Sequence, residues 1–254
     1  MNRQPLITII TVTYNAGAVI EPTLKSVEEQ TFRDFEHIIV DGKSSDDTLS
    51  IVSRFTYPEL EAHSKPDNGI YHGMNRGLQY AKGQYLVFLN AGDRFADKDT
   101  LAKYAEAALN NNADIIYGDT VIVNGEGEIK GPRHLSSPSI LTYKSYLGGM
   151  LICHQAFMVR KEIAPLYGRE FKLSADYEWC LECISRSRLS GRINLKTVTI
   201  HYLEGGMSQK KKLRSLKERF LIMKRRYGLL PTLKAHLSFI PRALHRRMKQ
   251  GGMK

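Results

Sequence analysis

The sequence has no long apolar run and no recognisable export signal, and each absence excludes a class of protein. No stretch approaches the roughly 18 consecutive apolar residues that a membrane-spanning helix requires. The N-terminal segment MNRQPLITIITVTYNAG reaches Tyr14 and Asn15 early and offers no small-residue cleavage site, unlike a signal peptide. We therefore expect a cytoplasmic protein.

Cysteine is also scarce. Cys153, Cys180 and Cys183 are an odd number, which excludes a full disulfide framework. Cys180 and Cys183 have the spacing of a zinc-binding pair, but nearby only Cys153 and His154 offer further ligands of the right type. We expect reduced thiols packed in the interior rather than a zinc site.

Three nucleotide-binding and hydrolytic motifs are missing as well. The chain contains no G-x-G-x-x-G and no P-loop, which leaves a nicotinamide cofactor or an ATPase unsupported. It also contains no G-x-S-x-G, so a Ser–His–Asp hydrolase of the nucleophile-elbow type is not indicated. The chemistry must be sought in other polar residues.

Charge is present but unevenly placed. Residues 209–254 hold fifteen Lys and Arg against the single acid Glu218, a net charge of +14, whereas residues 1–208 carry a net charge of −3. A near-neutral body argues against nucleic-acid binding, and the basic tail predicts contact with an anionic surface such as the inner face of the plasma membrane.

The tail is also amphipathic. Helical spacing groups its apolar residues into two stripes, namely Leu213, Leu216, Phe220, Met223 and Tyr227, then Leu230, Leu233, Leu237, Ile240 and Leu244, the second interrupted by Pro241. Such basic amphipathic helices suit either a membrane surface or packing on the body, and the charge favours the membrane.

The body predicts an α/β fold. Apolar strand-like runs at 6–14, 35–41, 85–90 and 113–119 alternate with helical patterns at 18–30, 69–82 and 100–111, and a further strand is expected at 59–64. This alternation indicates a doubly wound, mostly parallel sheet flanked by helices in residues 1–119. Residues 120–208 predict a mixed half, with a hairpin near VIVNGEGEI, a strand that leads into a helix start at CHQAFMVRKEI, a helix at LSADYEWCLECISRS and a strand at 193–204.

Three polar motifs follow strand-like runs in the first half. VDGKSSDDT at 40–48, PDNG at 66–69 and FLNAGD at 88–93 place Asp41, Asp67 and Asp93 at or just after apolar segments. Ligands bind at the carboxyl ends of the strands in open α/β sheets. These carboxylates therefore predict a site for a divalent metal and a phosphorylated ligand, although Asp is also common in turns and at helix N-caps.

The second half offers fewer candidates. Asp176, in LSADYEW, is a candidate general base, or alternatively an ordinary first-turn carboxylate of a helix. His154 and His201 each flank an apolar strand and could contact a metal or phosphate, or could be ordinary buried polar groups. Gly205 and Gly206 could form a flexible loop over phosphates, or a turn before the tail.

Taken in order, ITIITVTYNAG, SVEEQTFRDFEHIIVDGKSSDDT, SKPDNGIYHGMNRGLQYAKGQYLVFLNAGD and LSADYEW resemble glycosyltransferase family 2, the inverting sugar-nucleotide enzymes of GT-A fold. The resemblance spans roughly residues 5–208 and is greatest to bacterial polysaccharide-assembly members of the colanic-acid type. It implies a GT-A, Rossmann-like domain over 1–208, with a nucleotide-sugar half at 1–119, an acceptor and catalytic half at 120–208, and the tail at 209–254.

The resemblance also implies roles. The nucleotide, expected to be that of a UDP-sugar, would contact Thr13, Tyr14, Asn15, Asp41, Asp67 and Asn75. Asp93 would bind Mn²⁺ or Mg²⁺ at the diphosphate. Apart from the resemblance, we expect His201 as a weaker metal candidate, and His154, Gly205 and Gly206 toward the acceptor, a glycan that is expected to be lipid-linked. Asp176 would remove the proton from the attacking hydroxyl.

The chain departs from the family pattern at three places. Gly42 follows Asp41 where a second acid is frequent, Asn90 begins a motif that often reads DADD, and Ala175 precedes Asp176 where Glu is frequent. We therefore expect one carboxylate to anchor the metal. Two other hypotheses remain open at this stage, a non-catalytic nucleotide-sugar-binding scaffold at the membrane and a nucleotidyltransferase.

Overall fold

The computed structural model describes residues 4–206 and 211–239 and has the predicted α/β architecture, a sheet with a parallel core flanked by helices. Its strands are β1 (Ile7–Thr13), β2 (Phe35–Asp41), β3 (Leu60–Ser64), β4 (Tyr85–Phe88), β5 (Arg94–Phe95), β6 (Ile115–Val123), β7 (Ile129–Pro132), β8 (Phe157–Arg160) and β9 (Arg192–Leu203). Its helices are α1 (Ile20–Glu28), α2 (Thr48–Val52), α3 (Ile70–Tyr80), α4 (Thr100–Asn111), α5 (Ala175–Arg186), α6 (Lys212–Tyr227) and α7 (229–239).

The N-terminal half is a parallel sheet in the strand order β3-β2-β1-β4. Every residue of β1 is buried, as expected for a β-branched central strand that is covered on both faces. β1 pairs with β2 from Ile7 opposite Phe35 to Thr13 opposite Asp41, so these strands end side by side. That register brings the motifs after β1 and β2 to one edge of the sheet.

The second half continues the same sheet with mixed directions. β8 is inserted antiparallel between β4 and β6, and β9 runs parallel to β6 before the sheet ends with β5. The predicted hairpin is present as β6 and β7. The segment after β8 forms a single 3-10 turn at Lys161–Ile163 rather than a full helix.

Helix α6 is part of the body and not a detached appendage. Ile222 and Met223 are fully buried in the main hydrophobic core, and Tyr227 donates a hydrogen bond to the carbonyl of Tyr143 at 2.6 Å. Arg226 donates to the Glu182 carboxylate at 2.7 Å. The predicted 209–254 tail is described over 211–239, and its candidates Ile240 and Leu244 lie outside the described residues.

The predicted apolar stripes are only partly buried, since Met223 lies in the core while most of the leucines do not. Leu213, Leu216, Leu230, Leu233 and Leu237 are all exposed, Leu213 by 84% and Leu230 by 77%. The face of α6 that contacts the body instead includes the polar residues Ser215 and Glu218. Within 4–206 and 211–239, no helix combines the length and apolar content needed to cross a bilayer.

The cysteines lie in the interior as free thiols. Cys153, Cys180 and Cys183 are all buried. Burial raises the pKa of each thiol, and that of Cys153 reaches about 11. These cysteines are therefore neutral packing residues at physiological pH.

Candidate active site

One cavity of about 460 Å³ lies at the carboxyl end of β4 and is bounded by both halves of the chain. Asn90 and Asp93 enter it from the loop after β4, and Asp176 enters it from α5. Its other walls come from α3, from the segment before β8, from the end of β9 and from α6, including Tyr71, His154, Gln155, Gly205, Gly206 and Arg219. Ligand sites in open α/β sheets lie at this position.

Asp93 is held in a tight loop. The preceding Gly92 has a positive φ of 99°, and a Cβ there would lie 2.7 Å from a methyl carbon of Leu203, so the close approach of β9 requires glycine. The Asp93 carboxylate accepts hydrogen bonds from Gln155 Nε2 at 2.8 Å and from the Leu203 amide at 3.0 Å. Burial outweighs these bonds and raises the pKa of Asp93 to about 7.

The surroundings of Asp93 suit one divalent cation. The side-chain oxygen of Asn90 is buried and has no hydrogen-bond partner among the described residues, so an oxygen ligand is available beside the carboxylate in the same cavity. No group of three or more His, Cys, Asp or Glu in 4–206 and 211–239 could chelate a metal. A cation here would therefore rely on phosphate and water oxygens for its remaining ligands, which is the ordinary mode of Mg²⁺ at phosphate sites.

Asp176 lies in the first turn of α5. Tyr71 donates from its hydroxyl to Oδ1 at 3.2 Å, and the Tyr177 amide donates to the same oxygen at 2.9 Å. Burial raises the pKa of Asp176, while the positive charge of Arg219, these hydrogen bonds and the charge of Arg133 act in the opposite direction. A carboxylate with a raised pKa in a cavity is suited to accept a proton.

His154 forms part of an aromatic wall beside these carboxylates. Its ring stacks on Phe88 with centroids 4.9 Å apart, meets Trp179 edge-on at 5.4 Å and is hydrogen-bonded to the Tyr167 hydroxyl. Burial lowers the pKa of His154 to about 3, so the imidazole is neutral at physiological pH. It therefore shapes the cavity rather than supplying a charge.

Asp41 is fully buried and binds its own loop. Its carboxylate accepts from the amides of Lys43 and Ser44, both at 3.0 Å, and from the hydroxyls of Ser44 and Ser64, both at 2.5 Å. Ser44 in turn accepts from the Asn15 amide at 2.8 Å. Asp41 thus links the loop after β2 to the loop after β1.

Tyr14 and Asp67 approach each other beside Gly42. A Cβ on Gly42 would lie 2.8 Å from Asp67 Oδ2 and 3.3 Å from Tyr14 Cδ2. Tyr14 is 64% exposed, and the buried hydroxyl of Thr13 has no hydrogen-bond partner among the described residues. An exposed aromatic face, a carboxylate and a free hydroxyl therefore meet at the ends of β1 and β2.

The comparisons with known proteins identify the family. The protein-family model described as "Glycosyl transferase family 2" matches residues 8–165 of this chain. This chain belongs to glycosyl transferase family 2. A "PGL/p-HBAD biosynthesis glycosyltransferase" of Mycobacterium bovis (strain BCG / Pasteur 1173P2) is 34% identical over 212 residues, which cover 80% of this chain and 79% of the relative. The protein is therefore a glycosyltransferase, as the motif order predicts.

Solved structures share its fold. S. aureus TarS 1-349 in complex with UDP-GlcNAc matches with a TM-score of 0.73 at 18% identity, over 92% of this chain and 73% of that one. The mannosyltransferase PcManGT from Pyrobaculum calidifontis, in complex with GDP-Man and Mn2+, matches with a TM-score of 0.63 at 18% identity, over 92% of this chain and 69% of that one. These likenesses concern the fold, which is that of the GT-A family.

Seven of the predicted site residues are not among the described side chains that line this glycosyltransferase's cavity. Thr13, Tyr14, Asn15, Asp41 and Asp67 lie at or beside the ends of β1 and β2, and Asn75 and His201 lie elsewhere. Asn75 uses both ends of its amide on the backbone of Tyr167, at 3.0 and 2.7 Å, and so clamps α3 to the second half. His201 pairs across the sheet with Arg94 and Val121 and is not among the described side chains that line the cavity. Asn75 therefore holds α3 against the second half of the chain. Of the two predicted metal candidates, Asp93 and His201, Asp93 is the one that lines the cavity.

Several cavity residues were not anticipated from the sequence. Gln155 is a buried donor to Asp93, Tyr71 is a donor to Asp176, and Arg133 and Arg219 supply positive charge. Tyr71 belongs to the DNGIY motif, which could have indicated it. Arg219 gave no such signal, because the sequence places it among many basic residues of an amphipathic helix.

Proposed function

We propose that this glycosyltransferase transfers a sugar, with inversion, from a nucleotide-diphospho-sugar, expected to be a UDP-sugar, to a hydroxyl of a glycolipid or surface-polysaccharide intermediate. The observation that carries the proposal is the pairing of two unlike carboxylates in one cavity, Asp93 beside the unpartnered oxygen of Asn90 and Asp176 beside tyrosine and arginine. The relative named for PGL/p-HBAD biosynthesis and the neighbour bound to UDP-GlcNAc support the acceptor class and the donor class.

Asp176 is the base in this proposal. Its two described hydrogen bonds both end on Oδ1, which leaves Oδ2 for an acceptor hydroxyl. As the hydroxyl oxygen attacks the anomeric carbon, Oδ2 takes the proton and the bond to the nucleotide diphosphate breaks. A single displacement of this kind inverts the anomeric centre.

Asp93 and Asn90 would hold Mn²⁺ or Mg²⁺ at the diphosphate. When bound, the cation supplies positive charge to the leaving phosphate oxygens. Gln155 and the Leu203 amide fix the orientation of the Asp93 carboxylate, and His154 excludes water from one wall without adding a charge. The bound neighbour that contains Mn2+ supports this assignment.

The nucleotide would lie across the ends of β1 and β2. Tyr14 offers an exposed ring for base stacking, while Thr13 and Asp67 offer a hydroxyl and a carboxylate for ribose or base edges. Asp41 and Asn15 would act through the loop that they join, since their polar atoms bond to Ser44 and Ser45. Gly205 and Gly206, which line the cavity, would leave room for sugar or phosphate.

A thermal-shift panel tests the donor site. UDP, GDP, CMP and dTDP are each measured with Mn²⁺, Mg²⁺ or EDTA on the wild type and on Asp93→Asn. Ligands that bind the folded state raise the melting temperature by mass action. We expect a metal-dependent rise with UDP that Asp93→Asn abolishes, and no metal-dependent rise with any nucleotide would contradict the proposed site.

The acceptor would be reached at a membrane surface. Leu213, Leu216, Leu230, Leu233 and Leu237 are what we call the leucine surface of α6 and α7, and all five are exposed. Helix α6 is rich in Lys and Arg, and α7 carries Lys234. Exposed leucines flanked by cationic side chains suit the headgroup region of an anionic bilayer. This arrangement supports peripheral attachment to the cytoplasmic face.

Vesicle sedimentation tests that surface by point substitution. Deletion of 209–254 is unsuitable, because it would remove Ile222 and Met223 from the core. Leu230→Glu combined with Leu237→Glu should abolish binding to phosphatidylglycerol vesicles. The matched control is Leu109→Glu, since Leu109 is 67% exposed on α4 and Leu237 is 66% exposed. Equal loss in the control, or no loss in the double variant, would contradict the membrane proposal.

A further inference from the structure

Helix α6 belongs to the catalytic cavity although it follows the glycosyltransferase motifs in the sequence. Its Arg219 lines the cavity together with Asp176. The guanidinium carbon lies 5.6 Å from the centroid of the Tyr177 ring, directly next to the proposed base in the chain. The Arg219 Nε atom is buried and has no hydrogen-bond partner among the described residues.

The position of Arg219 is fixed by contacts on both sides of it along α6. Glu218 accepts from the Leu173 amide at 2.8 Å, and the hydroxyls of Ser174 and Ser215 lie 3.1 Å apart. These contacts attach α6 to the two residues before α5, on which Asp176 sits. Arg226, near the end of α6, reaches the Glu178 and Glu182 carboxylates further along α5. The two helices are thus joined along their lengths, and Arg219 is held at the cavity that Asp176 also lines.

On these contacts, and on the proposed base role of Asp176, we propose that Arg219 is a positioning residue that keeps Asp176 anionic and ready to accept a proton. Burial alone favours the protonated carboxyl, which cannot act as a base. The positive charge of Arg219 is the foremost of the influences that oppose burial. Without α6, a larger fraction of Asp176 would therefore be protonated and unable to accept a proton.

The other groups around Asp176 do not replace that charge. Tyr71 and Tyr177 supply uncharged hydrogen bonds, and Arg133 is a second cation with a smaller effect. Other titratable groups coupled to this carboxylate have raised pKa values and are neutral at physiological pH, namely Tyr167, Tyr202, Cys153 and Cys180. Glu218 is the nearby acid on α6, but its carboxylate bonds to Leu173.

Helices α6 and α7 would thus have two coupled roles. One part of α6 directs Arg219 to the base, while the leucine surface of α6 and α7 is exposed for a membrane. A displacement of α6 would change the charge next to Asp176.

The test measures the titration of Asp176 directly. ¹³C-aspartate-labelled full-length protein is titrated by NMR, with Asp176→Asn used to assign the carboxyl signal. In Arg219→Met the midpoint for Asp176 should rise by about 1 pH unit or more, because a nearby opposite charge of this kind shifts a carboxyl by that order. Arg219→Lys should recover most of the effect. The control Lys217→Met removes the same charge from an exposed position on α6 and should leave the midpoint unchanged.

A second readout separates this inference from the proposed function. The pH profile of UDP release from UDP-GlcNAc should move its acidic limb in Arg219→Met by the same amount as the NMR midpoint. An unchanged midpoint in the folded Arg219→Met variant would overturn the inference, and Arg219→Gln serves if the Met variant does not fold. A shifted midpoint with an unshifted profile would confirm the electrostatic contact but contradict Asp176 as the base.

Discussion

The strand-end and helix-start carboxylates of this glycosyltransferase occupy two contrasting environments. Asp41 receives four hydrogen bonds, three from its own loop and one from Ser64 at the end of β3. Asp93 and Asp176 instead lie in the cavity with fewer partners, and burial raises the pKa of both. Position at the end of a strand therefore does not by itself define a reactive group.

The difference shows that aspartate can have a structural role at one position and a candidate catalytic or metal-binding role at another. A carboxylate satisfied by its own loop fixes the backbone on which Tyr14 and Asn15 are presented. A buried carboxylate whose hydrogen bonds do not offset the desolvation of its charge retains the capacity to bind a cation or a proton. Substitutions of Asp to Asn at each position separate these two roles.

The largest effect is expected from Asp176→Asn. The amide preserves shape but cannot accept the acceptor proton, so turnover should fall by about 10²- to 10⁴-fold, the usual contribution of a general base. The measurement is release of the nucleoside diphosphate that the thermal-shift panel selects. Nucleotide binding should persist, and Glu106→Gln on the exposed face of α4 is the control. Retained turnover in a folded variant would show that another group is the base.

Because of Asp93, the free energy of unfolding of the metal-free protein should depend on pH. The pKa of Asp93 in the folded state is about 7, above the unfolded value of 3.8, so the folded state binds this proton more tightly. The resulting stability is fully present below pH 3.8 and is lost as the pH rises through 7. The loss amounts to up to about 4 kcal/mol at 1.36 kcal/mol per unit.

Urea unfolding in EDTA between pH 5 and pH 8 measures the slope of the free energy of unfolding against pH. Asp93→Asn should flatten it, because the amide has no proton to lose. In the wild type, Mn²⁺ with UDP should stabilise more at pH 8 than at pH 5, since a metal ligand must be deprotonated. An unchanged slope in Asp93→Asn would assign the pH dependence to other buried groups.

Asp41→Asn should lower the free energy of unfolding more than it lowers the turnover. The amide nitrogen cannot accept the hydrogen bonds that now reach a carboxylate oxygen, and buried donors are left unsatisfied. The expected loss is about 2 kcal/mol in the free energy of unfolding, measured in urea. Turnover at saturating donor should fall far less than in Asp176→Asn. An equally large fall in turnover would remove the distinction between the two environments.

The first half of the fold could be predicted because its signals are local. The buried run of β1 and the helical spacing of α3 depend on hydrophobic periodicity alone. β5 was not predicted, since a two-residue strand exists only through its pairing with β9. β3 gave a weak signal for a related reason, because none of its residues is buried.

The candidate site was predictable where motifs lie at strand ends, and not where a distant helix completes it. Asp93 and Asp176 follow from motif position and family resemblance. Arg219 does not, because the inward face of α6 includes Ser215 and Glu218 and is stabilised by specific partners on α5. The apolar stripe that helical spacing identifies leaves Leu213 exposed by 84%. Which face of a basic helix is buried depends on complementary residues elsewhere in the fold.

The smallest effect is expected from Tyr71→Phe, which removes one hydrogen bond from Asp176 and leaves the ring in place. That bond lowers the pKa of Asp176, so its loss should raise the pKa by less than the loss of Arg219 does. Turnover should therefore fall a few-fold on the acidic limb of the pH profile and recover on its alkaline side, where the carboxylate is ionised in both proteins. The pH profile of nucleoside diphosphate release measures this. A loss of equal size on the acidic limb and on the alkaline side would mean that Tyr71 contacts the substrate, in addition to its hydrogen bond to Asp176.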